Sequence, residues 1–292
     1  MIDKFRGEQM ENIKLQIKTT EIDANLQKEY TFVQISDMHL SYIDEKSSDV
    51  DRNDHIRYHK QWDSLKREFA SSFGEFCDDS YDVEPSIIFE KLCDYAEKAN
   101  ADALILSGDI IDRVTESSLR YLEMALSKIS MPVITCLGNH AMINVNGEHF
   151  NQYDRIIRVV KNPEMDSYDF EEFEILTFDN GRPDITKEQI DFLKSKLSKD
   201  KRYILVVHKP LNLGEFGEKL SKEIDSYFFM GTERDMELTK EFVSLVKNNS
   251  DRFIAVLCGH IHTAKDYKIA ENLRQISTSS GLIGAGRKIL IK

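Results

Sequence analysis

Short apolar runs alternate with longer amphipathic segments along this chain of 292 residues. Five of the runs are rich in β-branched and aliphatic side chains, which is typical of strands buried within a sheet. Between the runs, apolar residues recur at helical spacing; Leu119, Leu122 and Leu126, for example, would lie on one face of a helix. This alternation of strands and helices predicts an α/β fold. The five predicted strands lie at 30–36, 103–107, 132–137, 203–207 and 253–258.

Weaker patterns predict further elements. Residues 13–22 alternate between polar and apolar side chains, as a half-buried strand does, and are expected to join the sheet that contains 30–36. Thr186 and Gln189 have the spacing of a capping box at the start of a helix. The remaining predicted elements are helices at 86–100 and around 238–245, and terminal strands within 273–291.

Side chains that bind metals follow each of the five predicted strands directly. In open sheets with helical crossovers, sites form beyond the carboxyl ends of the strands, so these side chains are expected to meet at one edge. Histidine, carboxylate and amide ligands without thiolates suit Mn, Fe or Zn rather than a cysteine-rich structural zinc site. The sequence therefore predicts a metal site, and the number of ligands favours two ions. The residues concerned are Asp37, His39, Asp109, Asp112, Asn139, His140, His208, His260 and His262.

The motifs D-x-H, G-D-x-x-D, G-N-H, H and G-H-x-H occur in this order, and together they resemble the calcineurin-like metallophosphoesterase superfamily over about residues 32–280. The resemblance implies an α/β fold in which two packed mixed β-sheets are flanked by helices. It also implies two divalent or trivalent metal ions (Mn, Fe or Zn) bridged by Asp109. One ion would be bound by Asp37, His39 and His262, and the other by Asn139, His208 and His260.

The resemblance implies further roles for residues that bind no metal. His140 would face the leaving group as a general acid, with Asp112 holding its ring in place. Arg113 follows Asp112, as in the protein Ser/Thr phosphatases of the superfamily, where that arginine binds the substrate phosphate; a guanidinium suits this role because it can bind phosphate through two hydrogen bonds. Val114 replaces the glycine usual in that branch, and Ala141 replaces a frequent acidic residue, so the match is partial. The alternative interpretations are a turn-capping carboxylate for Asp112 and a surface arginine for Arg113.

Two such ions would activate a shared water, and the resulting metal-bridging hydroxide would attack phosphorus in line without a covalent enzyme intermediate. The positive charge of the ions would stabilise the transition state, and His140 would protonate the departing alkoxide. The leading hypothesis is therefore hydrolysis of a phosphate mono- or diester of a small soluble substrate. The alternatives are a protein Ser/Thr phosphatase, favoured only by Arg113, and a non-catalytic interaction scaffold on the same fold.

The length, charge and composition of the chain limit the number of domains and the kinds of partner that are expected. The predicted ligands extend from position 37 to position 262, so a single domain spanning 1–292 is expected. With 39 basic and 51 acidic residues the net charge is −12, and no basic cluster appears, so nucleic acid is not expected as a partner. No apolar run approaches the length of a membrane span and the first residues lack the pattern of a signal peptide, so we expect no membrane partner and a cytoplasmic location. The cysteines are widely spaced, at Cys77, Cys93, Cys136 and Cys258, and the last three are expected to be buried thiols.

The segment 42–86 separates the first two motifs and is longer than a simple crossover requires. It carries 12 acidic and 6 basic residues. We expect a helical cap over the metals that restricts substrate size and disfavours polyanions; a helix packed on the sheet, with its aromatic residues in the core, is the alternative. His55 and His59 would share one helix face, where exposed surface is favoured over an auxiliary ligand role. The apolar residues at helical spacing are Trp62, Leu65, Phe69, Phe73 and Phe76.

Overall fold

Two mixed β-sheets form the centre of the computed structural model, which describes residues 13–72, 83–148, 151–182 and 184–292. The first sheet contains, in order of pairing, β1 (Gln16–Ile22), β11 (Ala285–Ile291), β2 (Tyr30–Ile35), β3 (Ala103–Ser107) and β4 (Val133–Cys136). The second sheet contains β5 (Met165–Phe170), β6 (Phe173–Phe178), β7 (Arg202–Val206), β8 (Phe253–Cys258), β10 (Arg274–Ser277) and β9 (Lys265–Lys268).

Seven α-helices and four short 3-10 turns lie in the described ranges. The helices are α1 (Asp49–Ser72), α2 (Pro85–Lys98), α3 (Glu116–Leu126), α4 (Tyr153–Ile156), α5 (Lys187–Leu197), α6 (Gly214–Ile224) and α7 (Glu237–Asn248). The 3-10 turns are Asn139–Met142, Ser226–Phe228, Ser250–Arg252 and Gly281–Ile283.

Parallel pairing carries the ends of the motif-bearing strands to a common edge. In the first sheet β2, β3 and β4 run parallel, with Gln34 opposite Ile105. In the second sheet β6, β7, β8 and β10 run parallel, and β5 and β9 are antiparallel edge strands. Gln34 also links the two sheets, because its side-chain amide donates to Ser107 Oγ at 2.8 Å and to the carbonyl oxygen of Cys258 at 2.9 Å. Buried hydrogen bonds therefore hold the ends of β2, β3 and β8 together.

Three apolar clusters define the layers. One lies between the sheets and joins side chains such as Phe32 and Ile105 of the first sheet to Phe173 and Ile204 of the second. A second cluster packs α2 and α3 against the outer face of the first sheet. The third packs α5, α6 and α7 against the outer face of the second sheet. Full burial of one large apolar side chain stabilises the fold by about 1.5–3 kcal/mol. The order helix, sheet, sheet, helix confirms the fold predicted from the sequence.

The elements predicted from the sequence are present, with small shifts at their ends. The capping box is observed at the start of α5, where Thr186 Oγ1 accepts from the backbone N–H of Gln189 and Gln189 Oε1 accepts from that of Thr186. Strands β5, β6 and β9 and helices α4 and α6 were not predicted. The residues of β5 are mostly half-buried and lack an apolar alternation. Its place at the edge of the sheet explains this weak pattern.

Cys93, Cys136 and Cys258 are free and buried, as expected, whereas Cys77 lies outside the described residues. In the described ranges, none of the helices combines the length and the apolar character that a membrane span requires.

Helix α1 occupies the centre of the predicted insertion at 42–86. Its residues Tyr58 and Trp62 are buried against Leu282 in the turn that precedes β11. Helix α1 therefore packs against the turn before β11, and the expected cap stays a prediction. Phe73 and Phe76, which were predicted to continue its apolar face, lie outside the described residues.

Candidate metal centre

Left-handed backbone conformations mark the ends of the motif-bearing strands. Five predicted metal ligands have positive φ angles, from 43° at His39 to 68° at His260. A residue with a Cβ atom is strained there, at a cost of about 1–2 kcal/mol each. Elsewhere in the described residues only Asn25 and Asn100 combine a side chain with a positive φ, and asparagine tolerates this region. Backbone strain is thus concentrated where the sequence predicts a site. The five ligands are Asp37, His39, Asp109, His260 and His262.

Asp37, His39 and His262 form one group of converging ligand atoms. The Nε2 atoms of His39 and His262 lie 3.1 Å apart. The Nε2 atom of His262 is also 3.3 Å from Oδ1 of Asp37. Two ring nitrogens that face each other beside a carboxylate are suited to a shared cation.

Asp109, His208 and His260 form a second group of the same kind. The Nε2 atom of His208 lies 2.9 Å from Oδ2 of Asp109 and 3.1 Å from Nδ1 of His260. Asn139 is near this group in the same cleft, and its amide oxygen is buried with no hydrogen-bond partner among the described residues. Because a buried acceptor is normally satisfied, this oxygen is a candidate for a metal ligand.

Asp109 lies between the two groups. Its Oδ2 faces His208, while its Oδ1 accepts the backbone N–H of His140 at 2.9 Å. Its carboxylate also converges with ligand atoms of His39 and His140. A carboxylate in this position can reach an ion on either side. The structure thus brings together all seven residues predicted as ligands, and their donor atoms suit Mn, Fe or Zn. Their role as ligands stays a prediction.

Two glycines allow the strand ends to come this close. Gly108 has a φ of 100°, and a Cβ atom there would overlap the ring of His208. At Gly259 a Cβ atom would overlap the hydroxyl of Ser36 and lie 2.6 Å from Oδ2 of Asp37. The glycines of these motifs therefore make room for neighbouring ligands, in addition to allowing a sharp turn.

Burial keeps two of the predicted ligand histidines neutral in the metal-free protein. It lowers the pKa of His39 to about 3, and the charge of His140 acts in the same direction. Burial also lowers the pKa of His260 well below its usual range, with the charge of His208 adding to the effect. A neutral imidazole keeps a lone pair available, and metal binding requires this.

Hydrogen bonds around the predicted ligands fix their orientation. Nδ1 of His208 donates to the carbonyl oxygen of Ser107 at 2.9 Å, which leaves Nε2 directed at Asp109. The backbone N–H of His260 donates to Oδ2 of Asp37 at 3.0 Å. Supporting contacts of this kind set the tautomer and the direction of metal-binding side chains.

His140 lies beside both groups. Its Nδ1 is 3.1 Å from Oδ1 of Asp112 and 3.0 Å from the carbonyl oxygen of Asp112. Burial acts to lower the pKa of His140, but the charge of Asp109 and the hydrogen bond with Asp112 outweigh it and raise the pKa to about 9. In the metal-free protein this ring is therefore protonated at neutral pH, unlike those of His39 and His260.

Two side chains of α1 complete the surroundings of Asp112. The indole N–H of Trp62 donates to Oδ1 at 2.9 Å, and the indole ring stacks on His39 with a centroid distance of 4.2 Å. The guanidinium of Arg57 pairs with Oδ2 of Asp112. The sequence pattern put Trp62 on the apolar face of a helix but gave no sign of these partners. Arg57 was not singled out at all.

Arg113 is not among the described residues that line the cleft at the metal centre. Its guanidinium donates to the carbonyl oxygen of Val145 at 3.0 Å and lies 3.4 Å from Oδ1 of Asp54 on α1. This arrangement gives no support to the expected phosphate contact. Ala141, at the position where an acidic residue is frequent, is buried in the apolar cluster beside the first sheet.

A cleft of about 280 Å³ opens onto the predicted ligands. Trp62 lines one part of it, and Phe228 contributes an apolar surface. A larger cavity of about 600 Å³ adjoins it, because Asn139 lines both. Charges of both signs line this second cavity: Arg182, Lys209 and Arg234, together with Asp184 and Asp235.

Comparisons with known proteins identify a matching family and similar folds. A family model described as calcineurin-like phosphoesterase matches residues 30–264. No curated protein matches the sequence significantly. A solved structure of a dimetal phosphatase from Danio rerio is similar to this chain, with a TM-score of 0.56 and 10% sequence identity, over 87% of this chain and 88% of that one. At this identity the likeness concerns the fold alone.

Two other solved structures are more distant. A purple acid phosphatase from yellow lupin (Lupinus luteus) seeds has a TM-score of 0.49 and 12% identity, over 89% of this chain and 45% of that one. A 5'-nucleotidase from Candida albicans has a TM-score of 0.46 and 14% identity, over 92% of this chain and 47% of that one. This chain therefore spans less than half of either protein.

Proposed function

Because the chain belongs to the calcineurin-like phosphoesterase family, we propose that it is a metal-dependent hydrolase of small phosphate mono- or diesters. The observation that supports this best is the pairing of ring nitrogens on either side of Asp109. His39 faces His262, and His208 faces His260, with 3.1 Å between the nitrogens in each pair. Two cations held side by side are suited to displacement at phosphorus.

Asp109 is proposed as the ligand shared by both ions. When bound, the two ions would supply Lewis acidity to the phosphoryl oxygens and lower the pKa of a coordinated water. The side chains present are imidazoles, carboxylates and one amide, which suit Mn, Fe or Zn. One ion would be held by Asp37, His39 and His262, and the other by Asn139, His208 and His260.

His140 is proposed as the general acid. Asp112 engages Nδ1 through both its carboxylate and its carbonyl oxygen, which leaves Nε2 to protonate the leaving oxygen. Asp112 is itself held by Trp62 and Arg57, so we propose it as a positioning residue. A well-placed general acid contributes about 10²–10⁴ to the rate.

The shape of the cleft supports a small substrate. About 280 Å³ is open beside the predicted ligands, and the adjoining cavity of about 600 Å³ has room for the rest of an ester. In that cavity the ammonium of Lys209 lies 5.3 Å from the centre of the Tyr227 ring. We propose that Lys209 and Tyr227 contact the organic part of the substrate or a second anionic group on it. A protein Ser/Thr phosphatase is less well supported, because Arg113 contacts Asp54 and Val145 and does not line the cleft.

We also propose that 1–292 is a single domain in which α1 forms one wall of the site. Trp62 lines the cleft and stacks on His39, while Tyr58 on the same helix packs against Leu282. The helix would then restrict the site as a fixed wall. Hydrogen exchange would contradict a fixed wall if the amides of 52–68 exchanged as rapidly as those of an open loop.

A screen of metals against substrates tests the proposed activity. Protein freed of metals with a chelator is reconstituted with Mn, Fe or Zn and assayed with an aryl phosphate monoester, an aryl phosphate diester and a phosphopeptide. We expect turnover of at least one small ester, and slower turnover of the phosphopeptide. If every metal were bound but no ester were turned over, the interaction scaffold would be the better hypothesis.

A further inference from the structure

Two histidines and a carboxylate form a third group of converging ligand atoms, outside the metal centre described above. His55 and His59 are one turn apart on α1, and their Nε2 atoms lie 3.1 Å from each other. Oε1 of Glu84, the residue before α2, is 3.5 Å from Nε2 of His59. The sequence pattern favoured an exposed surface for these histidines, but both are half-buried.

The opposite ring nitrogens of both histidines face oxygen atoms. Nδ1 of His55 is 3.1 Å from Oγ of Ser41, and Nδ1 of His59 is 3.3 Å from Oδ1 of Asp63. If each Nδ1 carries a proton toward its oxygen, both Nε2 atoms present lone pairs to each other at 3.1 Å. Such lone pairs repel unless a cation lies between them. A histidine that donates to a carboxylate through its other nitrogen is the usual arrangement at a metal site.

From this geometry we infer that His55, His59 and Glu84 bind a single zinc-like divalent transition metal ion, separate from the dinuclear centre. Two ligands at 2.0–2.1 Å from a tetrahedral zinc ion stand about 3.3 Å apart. The separations of Nε2 of His59 from Nε2 of His55 and from Oε1 of Glu84, 3.1 and 3.5 Å, are close to this value. Two imidazoles and one carboxylate are a common protein contribution to zinc, with water at the fourth position. Asp63 stays an outer contact, because it also pairs with Lys66 at 3.6 Å.

The ion would connect three parts of the chain around the insertion. Its ligands come from α1 and from the residue that precedes α2, and Ser41, which contacts His55, lies just after β2. The same helix carries Trp62, which contacts Asp112 at the dinuclear centre. The bound ion would therefore hold α1 in place. It would affect the proposed reaction only indirectly, by fixing Trp62 against Asp112.

Metal content of the full chain tests this inference directly. Purified wild-type protein is saturated with Zn²⁺, freed of loosely bound ion, and compared by elemental analysis with the variants His59→Gln and Glu84→Gln. Each variant should hold about one equivalent less than wild type. Lys60→Gln, which changes an exposed residue of the same helix, is the matched control and should hold the wild-type amount. Equal zinc content in His59→Gln and wild type would overturn the inference.

A second variant background and a crystallographic measurement keep the outcome of this test unambiguous. In an Asp109→Asn background, which weakens the proposed dinuclear centre, His59→Gln should still remove one equivalent, so failure of the proposed function and failure of this site are distinguishable. If a variant does not fold, crystals of the wild type give the answer without it. Anomalous scattering at the zinc edge should show a peak between the Nε2 atoms of His55 and His59, and zinc-soaked crystals without that peak would overturn the inference.

Discussion

The indole N–H of Trp62 donates to Oδ1 of Asp112, which lies 2.9 Å away. The same oxygen is 3.1 Å from Nδ1 of His140. Because Trp62 belongs to α1, the helix inserted between the first two motifs is connected to the proposed general acid through one carboxylate. Hydrogen bonds to charged groups contribute about 1.5–3 kcal/mol, so this contact is strong enough to matter for both stability and turnover.

Replacing Trp62 with Phe should lower turnover of esters with poor leaving groups about tenfold, which corresponds to a loss of about 1.4 kcal/mol in transition-state stabilisation. The phenyl ring can still stack on His39, but Asp112 loses a donor and holds His140 less firmly. Tyr58→Phe on the same helix is the control, because the buried Tyr58 hydroxyl has no hydrogen-bond partner in the part of the chain that the structure describes. Steady-state kinetics of both variants check this; equal losses in the two would mean that the Trp62 hydrogen bond has no particular role.

His140→Gln should leave the metal content unchanged and reduce the rate by about 10²–10⁴ for alkyl esters. Aryl esters with good leaving groups should lose much less, because their departing oxygen needs no proton. Elemental analysis and assays on both ester types measure the two effects. His140 also converges with His39 and Asp109, so a loss of metal in this variant would indicate that it is a ligand.

Asp109→Asn should weaken the binding of both metal ions and abolish turnover. An amide is neutral and donates through its nitrogen, so it cannot replace a carboxylate shared by two ions. Metal titration followed by calorimetry measures the change. The control is Asp184→Asn, which alters a carboxylate in the adjoining cavity and should retain both ions. Undiminished binding of one ion in Asp109→Asn would contradict the bridging position.

Asp179 should make the metal-free protein less stable as the pH rises from 4 to 7. Burial raises its pKa from 3.8 to about 6, even though it accepts the hydroxyl of Tyr153 at 2.6 Å. Between these pH values the unfolded chain loses the proton first, so this group's contribution to the free energy of unfolding falls by about 2 kcal/mol.

The comparison variant for Asp179 is Asp179→Asn, which does not titrate. Denaturant unfolding of both proteins with a chelator present, at a series of pH values, gives the difference in their free energies of unfolding. As the pH rises, the free energy of unfolding of the wild type should fall relative to that of Asp179→Asn. A difference that is constant from pH 4 to 7 would show that the carboxyl titrates normally in the folded state.

Lys196→Met should destabilise the protein by about 3 kcal/mol, the low end of the cost of breaking a buried ion pair. Nζ of Lys196 lies 2.5 Å from Oε2 of Glu174, and both side chains are largely buried. Lys201 lies 3.7 Å from Oε1 of Glu174 and offers partial compensation. The double change Lys196→Met with Glu174→Leu should recover much of the loss, because no buried charge is left unpaired. Thermal and chemical unfolding of the wild type, the single variant and the double variant measure their free energies of unfolding.

The five motif-bearing strands could be predicted because each is a short apolar run with a distinct polar exit. Periodicity also identified α2, α3, α5 and α7 on the outer faces, since their apolar stripes are local features of the sequence, but it missed α6. Strands β5, β6 and β9 were missed; in β5 the reason is that a half-exposed strand has no strong alternation. The contact between Gln34 and the end of β8 was equally beyond prediction, as its two residues are far apart in the chain.

The sequence by itself determined the chemistry of this protein: which residues carry nitrogen and oxygen ligands, and that they follow strands whose ends share an edge. It could do so because strand propensity and ligand type are encoded within a few neighbouring residues. Only the tertiary structure decided which side chains meet. It paired Trp62 and Arg57 with Asp112, turned Arg113 toward Asp54, and brought Glu84 to His59. Such contacts depend on how helices are set against sheets, and that geometry arises from packing summed over the whole core.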